Sequence, residues 1–412
     1  MLDLINNLLW SLPTMALLTG TGVYFTFKSR FYPVRRAKEI IKSVKSADSS
    51  PEISSLRGLM TALGGTVGVG SITGVAYAIL QGGAGALFWM WVSSFFCMML
   101  KYAENYITVK ESRLQGIRGS AATLLKGMGK KKTAVFFAIS CILASFGSGN
   151  MAQANAFSLA ATEMGINKFA VGLVFALLLI PAVMGGQKII AKVNGILVPI
   201  AAILFTATAL GITVYNFKEI PIAFTNIFKS AFGFSQAGAG ITGTAISRAL
   251  RTGISKGVFS HEAGMGSSPI AHAAASTAPL NAARFGIIEV FADTFAVSTL
   301  TALALLTTHS ETMEEMFFVC FGSVGGTLLA FSLGIFAYAA VISWCFYSES
   351  LINFLTKKRA WVYIYRFLVI ISAFFGCIYN AESIWSIADI FNALMLFPNL
   401  YALIIRRKEI LY

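Results

Sequence analysis

The sequence predicts an all-α membrane protein with about eleven transmembrane helices in a single domain. Three observations predict it. Hydrophobic residues make up 56% of the chain and charged residues only 12%, roughly half the charged share of a soluble domain, so water is not its main solvent. Apolar stretches long enough to cross a hydrocarbon core of ~30 Å as helices recur from one end to the other. The basic residues gather in alternate loops, as they do when a chain is threaded repeatedly through a bilayer.

The expected spans are 8–27, 57–80, 86–109, 134–162, 168–184, 193–215, 240–276, 284–307, 323–349, 361–378 and 384–405. The first is too long for the apolar core of a signal peptide and is followed by a basic loop, so it is expected to be retained as an extra N-terminal helix. One set of loops holds Lys28, Arg30, Arg35, Arg36, Lys38, Lys42 and Lys45, then Lys110, Arg113, Arg118, Lys126 and Lys130 to Lys132, then Lys188 and Lys192, then Lys357 to Arg359. The C-terminal Arg406 to Lys408 fall on the same side. The intervening loops are acidic or mixed, with Glu163 and Lys168, Lys218 and Glu219, the run Glu311, Glu314 and Glu315, and Glu382. The positive-inside rule then puts the N-terminus outside and the C-terminus in the cytoplasm, in a cytoplasmic membrane.

The net charge of +14 is accounted for by these loops, so the bilayer and not nucleic acid is the expected partner. Cys97, Cys141, Cys320, Cys345 and Cys377 lie in apolar segments without metal-ligand spacing and read as packed thiols. No Ser-His-Asp, metal or phosphate-loop pattern is present, so neither an enzyme nor a cofactor is expected.

Two spans are unusual. One contains Gly-Gly-Thr-Val-Gly-Val-Gly-Ser from Gly64 to Ser71, the other Ser-His-Glu-Ala-Gly-Met-Gly-Ser-Ser-Pro from Ser260 to Pro269. Glycine is a poor helix former and proline lacks an N–H, so each reads as a helix broken at mid-membrane, tolerated only where the freed backbone lines a cavity. With the first helix set aside, the broken spans are the first and sixth of ten. That is a five-plus-five layout, an inverted repeat with halves 57–215 and 240–405, and paired interrupted spans mark the binding site of such a carrier. The amides near Val67, Gly68, Gly70 and Ser71 would begin a half-helix, where partial positive charge suits a carboxylate. The carbonyls around Phe259 and Ser260 would end one and suit an ammonium. A zwitterion fits between the two.

At these residues the chain resembles the alanine/glycine:cation symporters, the sodium:alanine symporter family, which have the leucine-transporter (LeuT) fold. The resemblance runs from Leu18–Tyr24 through Phe88–Trp91, Lys101-Tyr-Ala-Glu104, Leu143–Gly147, Gly149–Asn155 and Gly257–Ala274 to the eighth core helix; the last sixty residues are similar only in hydrophobicity. It implies a secondary transporter of small neutral amino acids, glycine or alanine, coupled to a cation by alternating access. Gln153 and Trp344 are then expected to line the pocket, with the indole restricting it to small side chains.

Three departures from the family pattern stand out. Gly68-Val-Gly-Ser71 replaces Gly-x-Gly-Asn, shortening a polar group beside the substrate. Ser260-His261-Glu262 replaces Ser-Asn-Glu and places an imidazole at the second break, where it can titrate near neutral pH. Phe336-Ala-Tyr-Ala339-Ala340 stands where the family carries two adjacent hydroxyls that, with carbonyls of the first broken helix such as those of Thr66 and Val69, are expected to hold Na⁺. Alanine supplies no oxygen to a hard cation. Sodium coupling, proton coupling through His261 or Glu262, uncoupled carriage, and a membrane receptor or scaffold that keeps the fold without transport all remain open on the sequence.

Other charged residues carry expectations too. Lys101 and Glu104 share a helix face and are expected to pair. Glu289 and Asp293, four apart, would repel unless a partner such as Arg284, a backbone amide, a cation or a proton intervenes. His272 is expected to satisfy local backbone, and Arg248, Arg251 and Lys256 to remain solvated at the outer face.

Overall fold

The computed structural model describes residues 2–45, 53–115, 119–233, 239–379 and 381–412; Arg118 lies outside them. The described residues form helices and no strand. The principal helices are α1 (Leu12–Lys28), α2 (Ser55–Thr66), α3 (Thr73–Gly82), α4 (Gly85–Gln115), α5 (Lys131–Glu163), α6 (Lys168–Tyr215), α7 (Ala239–His261), α8 (Pro269–Ala274), α9 (Pro279–Thr307), α10 (Ser323–Leu355), α11 (Arg359–Ile378) and α12 (Ala381–Ile405).

Among the described residues seven helices are long and apolar enough to cross a membrane individually, and the bent pair α2 and α3 makes an eighth. The expected spans fall on these helices with one difference. The fifth and sixth, 168–184 and 193–215, run on as the 48-residue α6, interrupted at Gly186, whose φ of 73° is not helical. At 1.5 Å per residue α6 is about twice the length a bilayer core admits in one crossing. Of the rest, α1 has 17 residues, and α7 carries Arg248, Arg251 and Lys256. Short helices at Ala37–Lys45, Ala121–Gly127, Ile220–Ala231 and Met313–Phe321 connect the long ones; the apolar-span reading does not contain them.

Burial follows position in the bundle. The two broken spans are central: α2 packs on α6 and α10, α7 packs on α3 and α4, and α4 also packs along α9. On the outside, α6 presents Leu173, Val174, Leu177 and Leu178, and α11 presents Phe367 and Leu368, as apolar side chains left exposed for lipid. All five cysteines are free, and only Cys320 is less than buried.

Two helices widen into π turns, at Gly147–Met151 of α5 and Phe291–Ser298 of α9. Such turns free a carbonyl and rotate side chains relative to an α-helix, and they recur at functional sites. Nothing in hydrophobic spacing announces them.

Candidate functional site

The first break begins where α2 ends at Thr66. Gly68 is extended (φ −128°, ψ −154°), a 3₁₀ turn runs Val69–Ser71, and α3 leaves at 54° to α2. Glycine is required here by close approach: a Cβ on Gly68 would lie 2.8 Å from Gln153 Oε1. That oxygen accepts from Val69 N–H at 3.1 Å, while the Gln153 amide donates to Ser148 O at 3.0 Å. Gln153 therefore caps the start of the second half-helix.

The second break begins after His261. Glu262 (φ 54°), Gly264 (φ 87°) and Gly266 (φ 77°) take left-handed conformations, which glycine adopts without a Cβ clash, and Pro269 opens α8, where its missing N–H costs nothing. The loop is tied from both sides. Glu104 of α4 accepts from Gly264 N–H at 2.7 Å and Gly266 N–H at 2.8 Å, and Asn399 of α12 donates to Gly264 O at 2.8 Å.

Between the breaks lies a tight cavity of about 10 Å³, room for about one water molecule, lined by Gly65, Thr66, Gly68, Gly70, Ser148, Gln153, Phe259, Glu262, Trp344 and Asn392. It is closed. On one side the Phe259 ring packs 5.0 Å from that of Trp385, and Lys256, buried, donates to Asp389 at 3.2 Å while its ammonium lies 5.3 to 5.6 Å from the rings of Tyr77, Trp385 and Phe259. Lys256 is thus held in a lid and is not solvated as expected.

Of the residues the sequence singles out, Thr66, Gly68, Gly70, Gln153, Phe259, Glu262 and Trp344 face this cavity. Val67, Val69, Ser71, Ser260, His261, Ala339 and Ala340 are buried beside it without lining it. Ser148 and Asn392 line it and are hydrogen-bonded to each other at 2.9 Å, and neither is marked by any pattern in the sequence. Asn392 lies in the last sixty residues, which hold none of the motifs quoted for the resemblance, and Ser148 is presented by a π turn.

The ionisable side chains are paired differently from expectation. Lys101 and Glu104 do not meet: Glu104 holds the second break, and Lys101 Nζ donates to His261 O at 2.6 Å and faces Glu289 at 3.2 Å. Glu289 also meets His272 Nε2 at 2.6 Å, so His272 serves a side chain and not local backbone. Arg284 turns away to Glu39 and Tyr32. Asp293, in the π turn, faces elsewhere. Its Oδ1 accepts from the hydroxyls of Ser71 and Ser260, the latter at 2.8 Å, and Oδ2 accepts from Thr294 at 3.1 Å.

These atoms bear on the coupling ion. Ala339 and Ala340 present buried methyls, and the Thr66 hydroxyl donates to Ala62 O at 2.9 Å. His261 Nδ1 accepts from Ala263 N–H at 3.1 Å, a bond that a proton on that nitrogen would break. Around Asp293, by contrast, one carboxylate and three hydroxyls converge as an all-oxygen donor set, the chemistry a hard cation requires. Among the described residues no cluster of His, Cys, Asp and Glu suits a transition metal.

Two helices broken at the middle of an apolar bundle around a closed cavity define a secondary transporter of the leucine-transporter fold. The chain belongs to the sodium:alanine symporter family, a family of transporters and not enzymes, whose model matches residues 1–411 and so includes the last sixty residues, where only hydrophobicity was expected to match. It is 35% identical to the sodium/alanine symporter AgcS of Methanococcus maripaludis, over 98% of this chain and 94% of that protein. It is 33% identical to the probable sodium/glutamine symporter GlnT of Bacillus subtilis, over 98% of this chain and 87% of that protein. The crystal structure of MhsT in complex with L-phenylalanine superposes with a TM-score of 0.61 at 16% identity, covering 87% of this chain and 89% of that one.

Proposed function

We propose that this chain carries a small neutral amino acid, glycine or alanine, across the cytoplasmic membrane by alternating access, with sodium as a coupling ion. The observation that carries the reading is the closed cavity between the two breaks, lined by backbone at Gly65, Gly68 and Gly70 and by the polar side chains of Gln153, Ser148 and Asn392. A zwitterion needs donors at one end and acceptors at the other. Half-helix ends supply partial charge of both signs without a net charge to neutralise, while the N–H groups of Val67, Gly68, Val69 and Ser71 are already bonded within the protein. Phe259 and the Trp344 indole restrict the side chain, which favours alanine over glutamine among the substrates that name the two relatives.

In this reading sodium is held beside the cavity by Asp293 with the hydroxyl oxygens of Ser71, Ser260 and Thr294, in place of the hydroxyls absent at Ala339 and Ala340. The breaks open the sequence halves 57–215 and 240–405, which are taken as the inverted repeats. The chain is taken to cross eleven times, with its N-terminus outside and its basic loops and C-terminus in the cytoplasm.

The test is tracer L-alanine uptake into proteoliposomes. Saturable uptake, counterflow, and loss of accumulation when choline replaces sodium are the expected results. Binding of alanine without flux would refute the carrier, and flux that neither saturates nor shows counterflow would indicate a pore.

A further inference from the structure

The geometry points to a binding site for one anionic phospholipid in the furrow between α1 and the end of α12, at the corner of the bundle taken as cytoplasmic. The furrow holds about 320 Å³ and is lined along α1 by Leu17, Gly20, Thr21 and Tyr24 and at one end by Ile404 and Arg407. It shares no lining residue with the cavity between the breaks. Leu17 and Tyr24 are left exposed along it, on an apolar helix that lipid surrounds.

Two glycines of α1 show how the furrow arises. A Cβ on Gly22 would come within 2.7 Å of Phe96 O, so that face of α1 is pressed against α4. A Cβ on Gly20 would meet no heavy atom within 4 Å, so the floor of the furrow stays open and no neighbouring helix fills it. From Leu17 to Lys28 the helix rises about 16 Å, the depth of one leaflet of a hydrocarbon core of ~30 Å. The furrow thus has the length of an acyl chain, with its polar end at headgroup level, where Tyr24 and Tyr412 stand as interfacial aromatics do.

That polar end is positive and already ordered. Lys28 Nζ donates to Arg407 O at 2.6 Å and lies 5.7 Å from the ring centroid of Tyr24 and 5.9 Å from that of Tyr412. Arg407 Nη1 donates to Ile404 O at 2.8 Å, which fixes the guanidinium at the end of the furrow. An ammonium has three donors and a guanidinium five, so both keep donors to offer, and among the described residues neither is paired with a carboxylate. The acids of this corner are engaged elsewhere: Glu111 and Glu409 both accept from Arg406, and Glu409 faces Lys110 at 3.7 Å. The 17 residues of α1 include no acid. A phosphodiester is the group that two such cations recognise.

Charge also selects among occupants. A second copy related by a two-fold axis along the membrane normal would seat α1 against α1 and turn Lys28 and Arg407 towards their own counterparts, like charge against like. A zwitterionic lipid fills the furrow with its chain but carries an ammonium beside its phosphate. An anionic lipid gains both the apolar and the ionic contact.

The experiment is native mass spectrometry of the full chain in detergent with equal amounts of phosphatidylglycerol and phosphatidylcholine of identical chains, counting the lipid retained by each protein ion. A basic residue near a membrane surface contributes an anionic preference of about fivefold, so the two together predict retention of the first lipid over the second by about twenty-five-fold. Lys28→Gln combined with Arg407→Gln is expected to bring the ratio below about twofold, and Arg407→Lys, which keeps the charge, to leave it within about threefold of wild type. Lys357→Gln combined with Lys358→Gln removes the same charge from an exposed loop and should leave the ratio unchanged. Gly20→Leu grows into open space and should lower retention of both lipids by about tenfold. A wild-type ratio near one, a double variant or Gly20→Leu that keeps the wild-type values, or a loop variant that loses the preference as fully, would overturn the site. Dimer ions that retain no lipid and that Gly20→Leu separates would assign the furrow to a second copy and overturn it too. Should the double variant not fold, Gly20→Leu decides.

Discussion

Glu104→Ala removes the carboxylate that accepts from Gly264 N–H at 2.7 Å and Gly266 N–H at 2.8 Å inside the second break. Both amides lie in a loop that helix hydrogen bonds cannot serve, in a region with no water to replace the lost acceptor. A hydrogen bond to a charged group contributes ~1.5–3 kcal/mol, so the alanine variant loses roughly 3–6 kcal/mol. Glu104→Gln keeps one carbonyl oxygen and should lose about half of that. Taking ~1–2 °C per kcal/mol for a chain of this length, the alanine variant melts several degrees below the wild type and the glutamine variant falls between them. The assay is built into the protein: Cys97, Cys141, Cys345 and Cys377 are buried, so a thiol-reactive fluorophore reports their exposure on heating in detergent. Melting points of both variants within about 1 °C of wild type would refute the claim that Glu104 holds the break.

Four further outcomes are expected. Gln153→Leu strands Val69 N–H and should weaken alanine binding by about tenfold, measured by tracer binding. Asp293→Asn should flatten the sodium dependence of uptake at fixed pH, because a neutral amide replaces the charged oxygen of the donor set. Arg366 donates to Glu349 at 2.7 and 3.0 Å and to Met184 O at 2.9 Å; Arg366→Ala leaves that buried carboxylate unpaired and should cost ~3–5 kcal/mol in the same melting assay. At the C-terminus, Arg406 beside Glu409 holds its carboxyl below the ordinary 4.5, so the stability it adds is present above that value and lost as pH falls through the depressed one. The tail, which Tyr102 also ties by donating to Leu411 O at 2.7 Å, should resist carboxypeptidase at neutral pH and yield to an acid-active one below about pH 4.

The two breaks were legible because their cause is local. Gly64–Ser71 and Ser260–Pro269 concentrate poor helix formers, so a helix entering either run ends within it, after Thr66 and after His261, and burial in lipid then demands a cavity. Gln153, Phe259 and Trp344 followed from the family resemblance and face that cavity. Ser148 and Asn392 did not follow, and Asp293 was legible only as a carboxylate in need of a partner or a cation. Two of them are presented by π turns that leave no trace in residue spacing, and Asn392 reaches the site from the far end of the chain.

Sequence alone determined the solvent, the helices and the places where they fail, because hydrophobicity and backbone propensity act over a few residues. Only the tertiary structure decided which charges answer one another. Lys101 and Glu104 are three residues apart, yet one serves Glu289 and the carbonyl of His261 and the other serves the amides of Gly264 and Gly266. In a medium that solvates no ion, a buried charge goes to whichever partner the folded bundle brings within reach, and nearness in sequence does not select it.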